Sequence, residues 1–207
     1  MAWVDEAFVD ITMPSDDDRL QIAAGCLDIA LDYQSGILVL CTERSYALAF
    51  GAQRLIFEAL LRGLWFQYCA DEAALESFKN SRGPTKFRPM IAEIEEKVGS
   101  EIIQLERYRE RLEGHLHDFT HTGYQHIARR YDGAILGPNY SHREICIVIN
   151  FAALVGLQAA ARIAVLAGMP VLATATYEKM ANYGSNYKML RRRYRDSTDK
   201  RERTERS

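Results

Sequence analysis

Three charged residues on one predicted helix have the spacing of a single chemical site. Arg54, Glu58 and Arg62 follow one another at intervals of four, so their side chains share one face of a helix that is otherwise strongly apolar. Two interpretations are open. An exposed ladder of ion pairs would be ordinary surface electrostatics, whereas a partly buried Arg–Glu–Arg array would bind an anion or fix another helix.

A second concentration of acid–base chemistry lies in the middle of the chain, where four of the five histidines fall within residues 115–126. His117 and His121 are four apart, which is the spacing of two metal ligands on one helix, but the third ligand would have to be guessed as Glu58 or Asp118. Relative to the apolar stripe of their helix, these two histidines face solvent. We therefore expect surface or capping histidines, with no metal and no other cofactor.

The elements that position these residues are all predicted to be helices. Apolar periodicity and end signals predict the helices Ser15–Cys41, Ser45–Ala70, Asp71–Phe78, Phe87–Val98, Glu101–Thr122, Tyr124–Tyr131, Ile145–Gly168 and Thr174–Arg195. Gly123 is expected to be the glycine that directly follows the end of the fifth helix. No segment shows the alternation of apolar and polar residues that is typical of a strand. The prediction is an all-α single bundle with the second, fifth and long apolar helices at its centre.

The length and the net charge of the chain limit the class of protein to which it can belong. The chain has 207 residues and a formal net charge of −2, which predicts one soluble domain and argues against a dedicated nucleic-acid coat protein. The bundle is expected to span residues 1–185. Residues 186–207 carry nine Lys and Arg against four Asp and Glu, and they are expected to form a basic, flexible tail.

The apolar stretch Ile145–Gly168 is long enough to cross a bilayer. However, Asn150, Gln158 and Arg162 form one polar stripe along it, so we expect the central helix of a soluble bundle and no membrane contact. The four cysteines are far apart and form no C-x-x-C pair, and the start of the chain lacks the basic segment of a signal peptide. These features predict buried free thiols and a cytoplasmic protein.

Two runs of sequence resemble the signatures of a family of uncharacterised bacterial all-helical proteins of about this length. They are Arg54-x-x-x-Glu58-x-x-x-Arg62-Gly-Leu-Trp65-x-x-x-Cys69-Ala70 and Asp118-Phe-Thr-His121-Thr-Gly123-Tyr-x-His126-x-x-Arg129-Arg130, and Asn150 resembles a third marker. The resemblance covers the chain from about Leu20 to Gly168, and it implies a helical arrangement similar to HEPN-like bundles. It also implies one polar centre made of Arg54, Glu58, Arg62, His121, His126, Arg130 and Asn150.

The similarity to HEPN-like bundles implies a possible chemistry. HEPN ribonucleases carry an arginine followed, after four to six residues, by a histidine, and Arg111 and His117 satisfy this with five residues between them. The histidine would take the proton of an RNA 2′-hydroxyl while the arginine stabilises the phosphate, without a metal. The polar residue that usually follows the arginine is replaced here by Leu112.

These observations leave three functions open. The first is a non-enzymatic binding or interaction module, expected to be a homodimer, whose polar centre meets an unidentified protein, a small anion or RNA. The alternative is a metal-independent ribonuclease of a toxin or phage-defence system, with Arg111, His117 and His121 as catalytic residues. The third is a metal-dependent hydrolase or oxidase. If the Arg54–Arg62 array is buried and paired, Glu58→Ala should cost roughly 3 kcal/mol or more.

Overall fold

The computed structural model describes residues 2–13, 16–83, 86–99 and 117–184 of the chain. Most of these residues are helical, which confirms the all-α class predicted from the sequence. The helices are α1 (Ala2–Ala7), α2 (Asp18–Thr42), α3 (Tyr46–Tyr68), α4 (Glu72–Lys79), α5 (Phe87–Val98), α6 (Tyr124–Ala128) and α7 (His142–Leu166). Residues 117–120 and 170–184 are also helical. The two-residue strands β1 (Tyr131–Asp132) and β2 (Ile135–Leu136) pair with each other in antiparallel register.

Helix α2 begins at Asp18 because the carboxylate before it supplies a cap. Asp17 Oδ1 accepts hydrogen bonds from the backbone amides of Arg19 at 2.8 Å and Leu20 at 3.4 Å. These are amides that the start of a helix leaves without a partner in the helix itself. The cap predicted from the sequence, Ser15, lies outside the described residues, and the helix begins two residues later than predicted.

Helix α7 has well-defined ends. Ser141 Oγ accepts a hydrogen bond from the backbone amide of Glu144 at 3.3 Å, and Glu144 Oε2 accepts one from the backbone amide of Ser141 at 2.9 Å. This reciprocal cap fixes the first turn. The helix ends at Leu166, and Gly168 adopts a φ of +69°, the conformation that favours glycine after a helix. The long apolar helix predicted from the sequence is confirmed.

Helices α2, α3 and α7 pack against one another and enclose the core. Gly63 of α3 lies directly against α2, since a Cβ built on it would be 2.6 Å from Leu27 Cγ and 3.1 Å from the backbone oxygen of Ala23. Gly156 of α7 lies in the same way against the side chain of Gln34. The two glycines therefore let α2 approach both neighbouring helices closely.

The sequence prediction placed the second, fifth and long apolar helices at the centre, and the structure shows that α2 packs there with α3 and α7. Much of the α2 interface is made by small residues such as Ala23 and Ala30, which are fully buried. Small residues permit a short distance between helix axes but add little to an apolar pattern. Most of the predicted fifth helix and all of the predicted tail, residues 186–207, lie outside the described residues.

Helices α2 and α7 are each long and apolar enough, by length and composition alone, to cross a membrane. Most of the apolar stretch of α7 is buried inside the protein, where it packs against α2 and α3. The polar side chains of Gln158 and Arg162 are buried in the same helix. Packing within the bundle therefore accounts for the apolar composition of α7.

Two local predictions before α7 are wrong. The left-handed residue is Thr122, with a φ of 54°, whereas Gly123 has a φ of −71° and immediately precedes α6. A Cβ built on Gly123 would lie 2.6 Å from Asp118 Oδ1, so this position needs a glycine for close approach. The sequence also predicted no strand, but β1 and β2 form a hairpin whose two-residue strands are too short to show alternation.

Candidate functional site

The charged residues of α3 are partly exposed and contact aromatic rings as well as each other. Arg62 Nη2 lies 2.6 Å from Glu58 Oε1, and the two side chains are 29% and 28% exposed. The guanidinium of Arg54 lies 5.0 Å from the ring centroid of Phe87, the first residue of α5. The predicted array therefore consists of one ion pair and a separate cation stacked on a neighbouring helix.

Arg62 also contacts helices other than its own. Its guanidinium lies 5.9 Å from the ring centroid of Phe78 in α4, and its Nε is buried without a hydrogen-bond partner. Burial raises the pKa of the Cys26 thiol in α2, and the positive charge of Arg62 opposes that rise. These contacts match the interpretation in which the array fixes neighbouring helices.

Phe119 is the buried anchor of the second motif. Its ring is 4.8 Å from that of Phe50 in α3 and 5.2 Å from the His126 imidazole, measured between centroids. The guanidinium of Arg129 lies over the same ring at 5.1 Å. The motif is thus attached to α3 at Phe50, one helical turn before Arg54.

A partly buried ion pair joins the second motif to the start of α7. Arg129 Nε donates a 2.7 Å hydrogen bond to Glu144 Oε1, and Arg129 Nη1 donates one of 2.6 Å to the backbone oxygen of Gln125. Burial alone would raise the pKa of Glu144, but hydrogen bonds from Ser141 and Arg129 outweigh it and lower this pKa. The carboxylate is therefore held in its charged form.

His117 and His121, the predicted catalytic histidines, lie side by side and exposed, with ring centroids 4.6 Å apart. Arg111, the third predicted catalytic residue, lies outside the described residues. Within residues 2–13, 16–83, 86–99 and 117–184, no group of three or more His, Cys, Asp and Glu side chains could hold a metal ion.

His126 and Arg130 lie on the inner side of the second motif. His126 is partly buried, and its Nδ1 is buried without a hydrogen-bond partner. Burial raises the pKa of the Tyr140 hydroxyl, and the positive charges of Arg130 and Arg129 oppose the rise. Both predicted residues thus lie next to the aromatic cluster of Phe50, Phe119 and Tyr140.

Asn150 contacts a different part of the molecule. Its Nδ2 donates a 2.6 Å hydrogen bond to the backbone oxygen of Cys146, and its Oδ1 accepts one from the Tyr183 hydroxyl. Tyr183 belongs to the helical segment 170–184, so Asn150 links α7 to that segment. The second motif packs against Phe50 of α3, the helix that carries the first motif. Asn150 instead contacts the segment 170–184. A single polar centre stays a prediction.

An exposed apolar surface was missed from the sequence. In the stretch from the start of α6 to the end of β2, five large apolar side chains are 46% to 77% exposed. They are Tyr124, Ile127, Tyr131, Ile135 and Leu136. They lie within thirteen consecutive residues, and we call residues 124–136 the apolar segment. The sequence feature that could have indicated this surface is the high density of large apolar residues around Gly133, in a stretch without helical periodicity.

The comparisons with known proteins agree with the resemblance inferred from the two motifs. The model of a family of unknown function matches residues 27–189, more than three quarters of the chain, and this range includes both motifs and Asn150. No curated protein and no solved structure matches the chain. The HEPN-like arrangement and the bacterial origin stay predictions. With its motifs, its helical bundle and this match, the chain belongs to the family of unknown function DUF6988.

Proposed function

We propose that the protein is a non-enzymatic interaction module that forms a homodimer through the apolar segment 124–136. The observation that carries this proposal is the exposure of five large apolar side chains on one short segment. Scattered exposed apolar residues are normal on a protein surface. However, Tyr131 and Leu136 are paired across the hairpin and therefore share one of its faces, and exposed apolar neighbours of this kind mark an interaction surface. Two of the five are tyrosines, a residue type enriched at interfaces.

The apolar segment is held in place by contacts with the bundle. Phe119 anchors the chain before it, and the Arg129–Glu144 pair ties its middle to α7. Asn139 Nδ2 donates a 2.8 Å hydrogen bond to the backbone oxygen of Tyr131, which fixes the base of the hairpin. A surface that is ordered before binding loses less conformational entropy when a partner docks.

Charge favours a second copy of this chain as the partner. The apolar segment carries Arg129, Arg130 and Asp132, and Arg129 is paired with Glu144, so with a neutral histidine the segment together with this partner has no net charge. Two identical surfaces meet across a two-fold axis, where a net charge of either sign would repel itself. A neutral apolar surface avoids that repulsion.

The test is the oligomeric state, measured by sedimentation over a dilution series. Tyr131→Asp and Leu136→Asp should each convert a wild-type dimer into a monomer, because these two residues are paired on one face of the hairpin and each variant places a carboxylate in the apolar interface. Val171→Asp is the matched control, since Val171 is also strongly exposed but lies outside the apolar segment. Circular dichroism checks that all three variants fold. A monomeric wild type, or a dimer that survives both segment variants, would contradict the proposal.

A second candidate function is the metal-independent ribonuclease, and the contact between His117 and His121 is the observation that favours it. Two exposed imidazoles side by side can supply a base for the 2′-hydroxyl and an acid for the leaving oxygen. Varied RNAs should then be cleaved by wild type and not by His117→Ala or His121→Ala, with chelator present throughout. Because both side chains are exposed, the variants should fold as wild type does. No cleavage by wild type, or equal cleavage by all three proteins, would exclude this activity.

A further inference from the structure

Arg162 is a buried cation in the apolar part of α7. Its residue surface is only 7% exposed. Among the described residues, no carboxylate lies within ion-pair distance of its guanidinium, which instead lies 5.7 Å from the ring centroids of both Tyr68 and Tyr177. Burying a charge without a counter-charge is costly, so such an arginine has a specific need for an anion.

The hydrogen bonds of Arg162 leave the donors on one side of its guanidinium without a partner. Nη1 donates a 2.7 Å hydrogen bond to the Tyr68 hydroxyl, whereas Nε is buried without a partner. Nε–H and one N–H of Nη2 point to the same side of the planar group, away from Nη1. This pair of parallel donors matches the two oxygens of a carboxylate or a phosphate.

Tyr68 and Tyr177 hold the guanidinium of Arg162, Tyr68 through its hydroxyl and its ring and Tyr177 through its ring. The Tyr68 oxygen accepts the bond from Nη1, so its own proton remains available for another acceptor. Burial raises the pKa of Tyr68, Arg162 lowers it, and Tyr177 lies close enough to contribute a further rise. The phenol therefore keeps its proton at neutral pH, so Tyr68 is a neutral acceptor for Nη1 and does not neutralise the charge of Arg162.

Arg162 lies near one end of the bundle. Tyr68 is the last residue of α3, and α7 ends at Leu166, one turn after Arg162. The backbone oxygens of Phe66 and Gln67 at this end of α3 already accept hydrogen bonds from Arg19. These two acceptors are therefore engaged by a different arginine, and Arg162 Nε remains unsatisfied.

We propose that Arg162 binds a small oxyanion side-on through Nε and Nη2, while Tyr68 and Tyr177 hold the guanidinium in place with their rings. This site is separate from the apolar segment, so the anion-binding proposal does not depend on the proposed dimer. The Glu58–Arg62 pair is a poorer candidate, because Glu58 already occupies the Arg62 guanidinium. The ligand is a carboxylate or a phosphate group.

Calorimetric titration of the full chain with sodium phosphate and with sodium acetate, at constant ionic strength set by chloride, tests the site. At least one anion should bind saturably, and the preferred one identifies the ligand as phosphate-like or carboxylate-like. Arg162→Lys keeps the charge but removes the paired donors, so affinity should fall about tenfold or more. Tyr68→Phe should weaken binding less. Arg82→Lys is the control, because Arg82 is exposed and lies outside every proposed site.

Thermal unfolding provides a second measurement that does not depend on the heat of binding. The preferred anion should raise the unfolding temperature of wild type and of Arg82→Lys, but not that of Arg162→Met. Absence of binding of both anions to wild type would overturn the proposal. Equal binding by wild type and Arg162→Lys would overturn it as well, since the guanidinium fork would then have no role. If Arg162→Met fails to fold, Arg162→Lys and Tyr68→Phe still decide the question.

Discussion

Arg129 and Glu144 form an ion pair in which two guanidinium nitrogens, Nε and Nη2, lie 2.7 Å and 2.6 Å from the same carboxylate oxygen. The other oxygen of Glu144 accepts hydrogen bonds from the backbone amide and the hydroxyl of Ser141. One carboxylate therefore starts α7 and holds the second sequence motif against it. The position of the apolar segment depends on this residue.

Replacing Glu144 by Gln should lower the free energy of unfolding by about 1–2 kcal/mol at neutral pH, since charge-assisted hydrogen bonds at a partly buried site become neutral ones. The folded-state pKa of Glu144 is lowered, so its stabilising contribution is complete above the ordinary glutamate pKa of about 4.3 and is lost as the pH falls through the lower folded-state value. Urea unfolding of both proteins should therefore give a stability difference that shrinks on acidification. A difference independent of pH would contradict this account.

Replacing Glu58 by Ala should cost much less than a fully buried array would require. Because the Glu58–Arg62 pair is more than a quarter exposed, we expect a loss of about 0.5–1 kcal/mol, smaller at high salt. Urea unfolding of wild type and variant at low and high salt measures it. A loss of about 3 kcal/mol would show instead that the pair behaves as a buried one.

Gly63→Ala should destabilise the protein by about 1–3 kcal/mol, because the new Cβ would overlap Leu27 and approach the backbone of α2. Gly25→Ala in α2 is the matched control. Nothing lies within 4 Å of a Cβ built on Gly25, so alanine there should stabilise the helix by about 0.5–1 kcal/mol. Thermal unfolding of the two variants should thus shift in opposite directions. Shifts of the same sign would contradict the close approach of α2 and α3.

The sequence predicts this fold best where the residues of a single helix are enough to show where that helix lies. The apolar periodicity of α3 and α7 and the stop at Gly168 are sufficient to place both long helices. The central position of α2 is not predictable in this way, because it depends on Gly63 and Gly156 lying opposite Leu27 and Gln34. Such a pairing of distant residues leaves no trace in the pattern of either helix alone.

For the candidate sites too, contacts between residues close in the sequence are predictable and contacts between distant residues are not. Spacing correctly predicts that Glu58 lies beside Arg62, since both belong to one helix. Spacing also predicts that Arg162 interrupts an apolar face, but its partner Tyr68 is 94 residues away. The exposed apolar segment could not be predicted from periodicity either, because its exposure depends on which side of the hairpin the bundle covers.

The four cysteines should differ sharply in their reaction with iodoacetamide at neutral pH. The sequence predicted buried thiols throughout, but Cys146 is exposed because the first turns of α7 extend past the core, where Ile147 is exposed as well. Burial, together with the negative charge of Glu93, raises the pKa of Cys69 to about 11, and burial raises those of Cys26 and Cys41. The thiolate is the form that reacts, so these three should be largely protected.

Mass spectrometry of peptides from briefly treated protein should therefore find Cys146 alkylated first. In urea all four thiols should react at similar rates, which serves as the control for intrinsic differences between the peptides. Cys146→Ser should remove the fast phase and leave the slow one unchanged. Equal labelling of Cys69 and Cys146 in the folded protein would mean that the end of α3 opens to solvent, and would argue against the ordered Tyr68–Arg162 contact that lies one residue before Cys69.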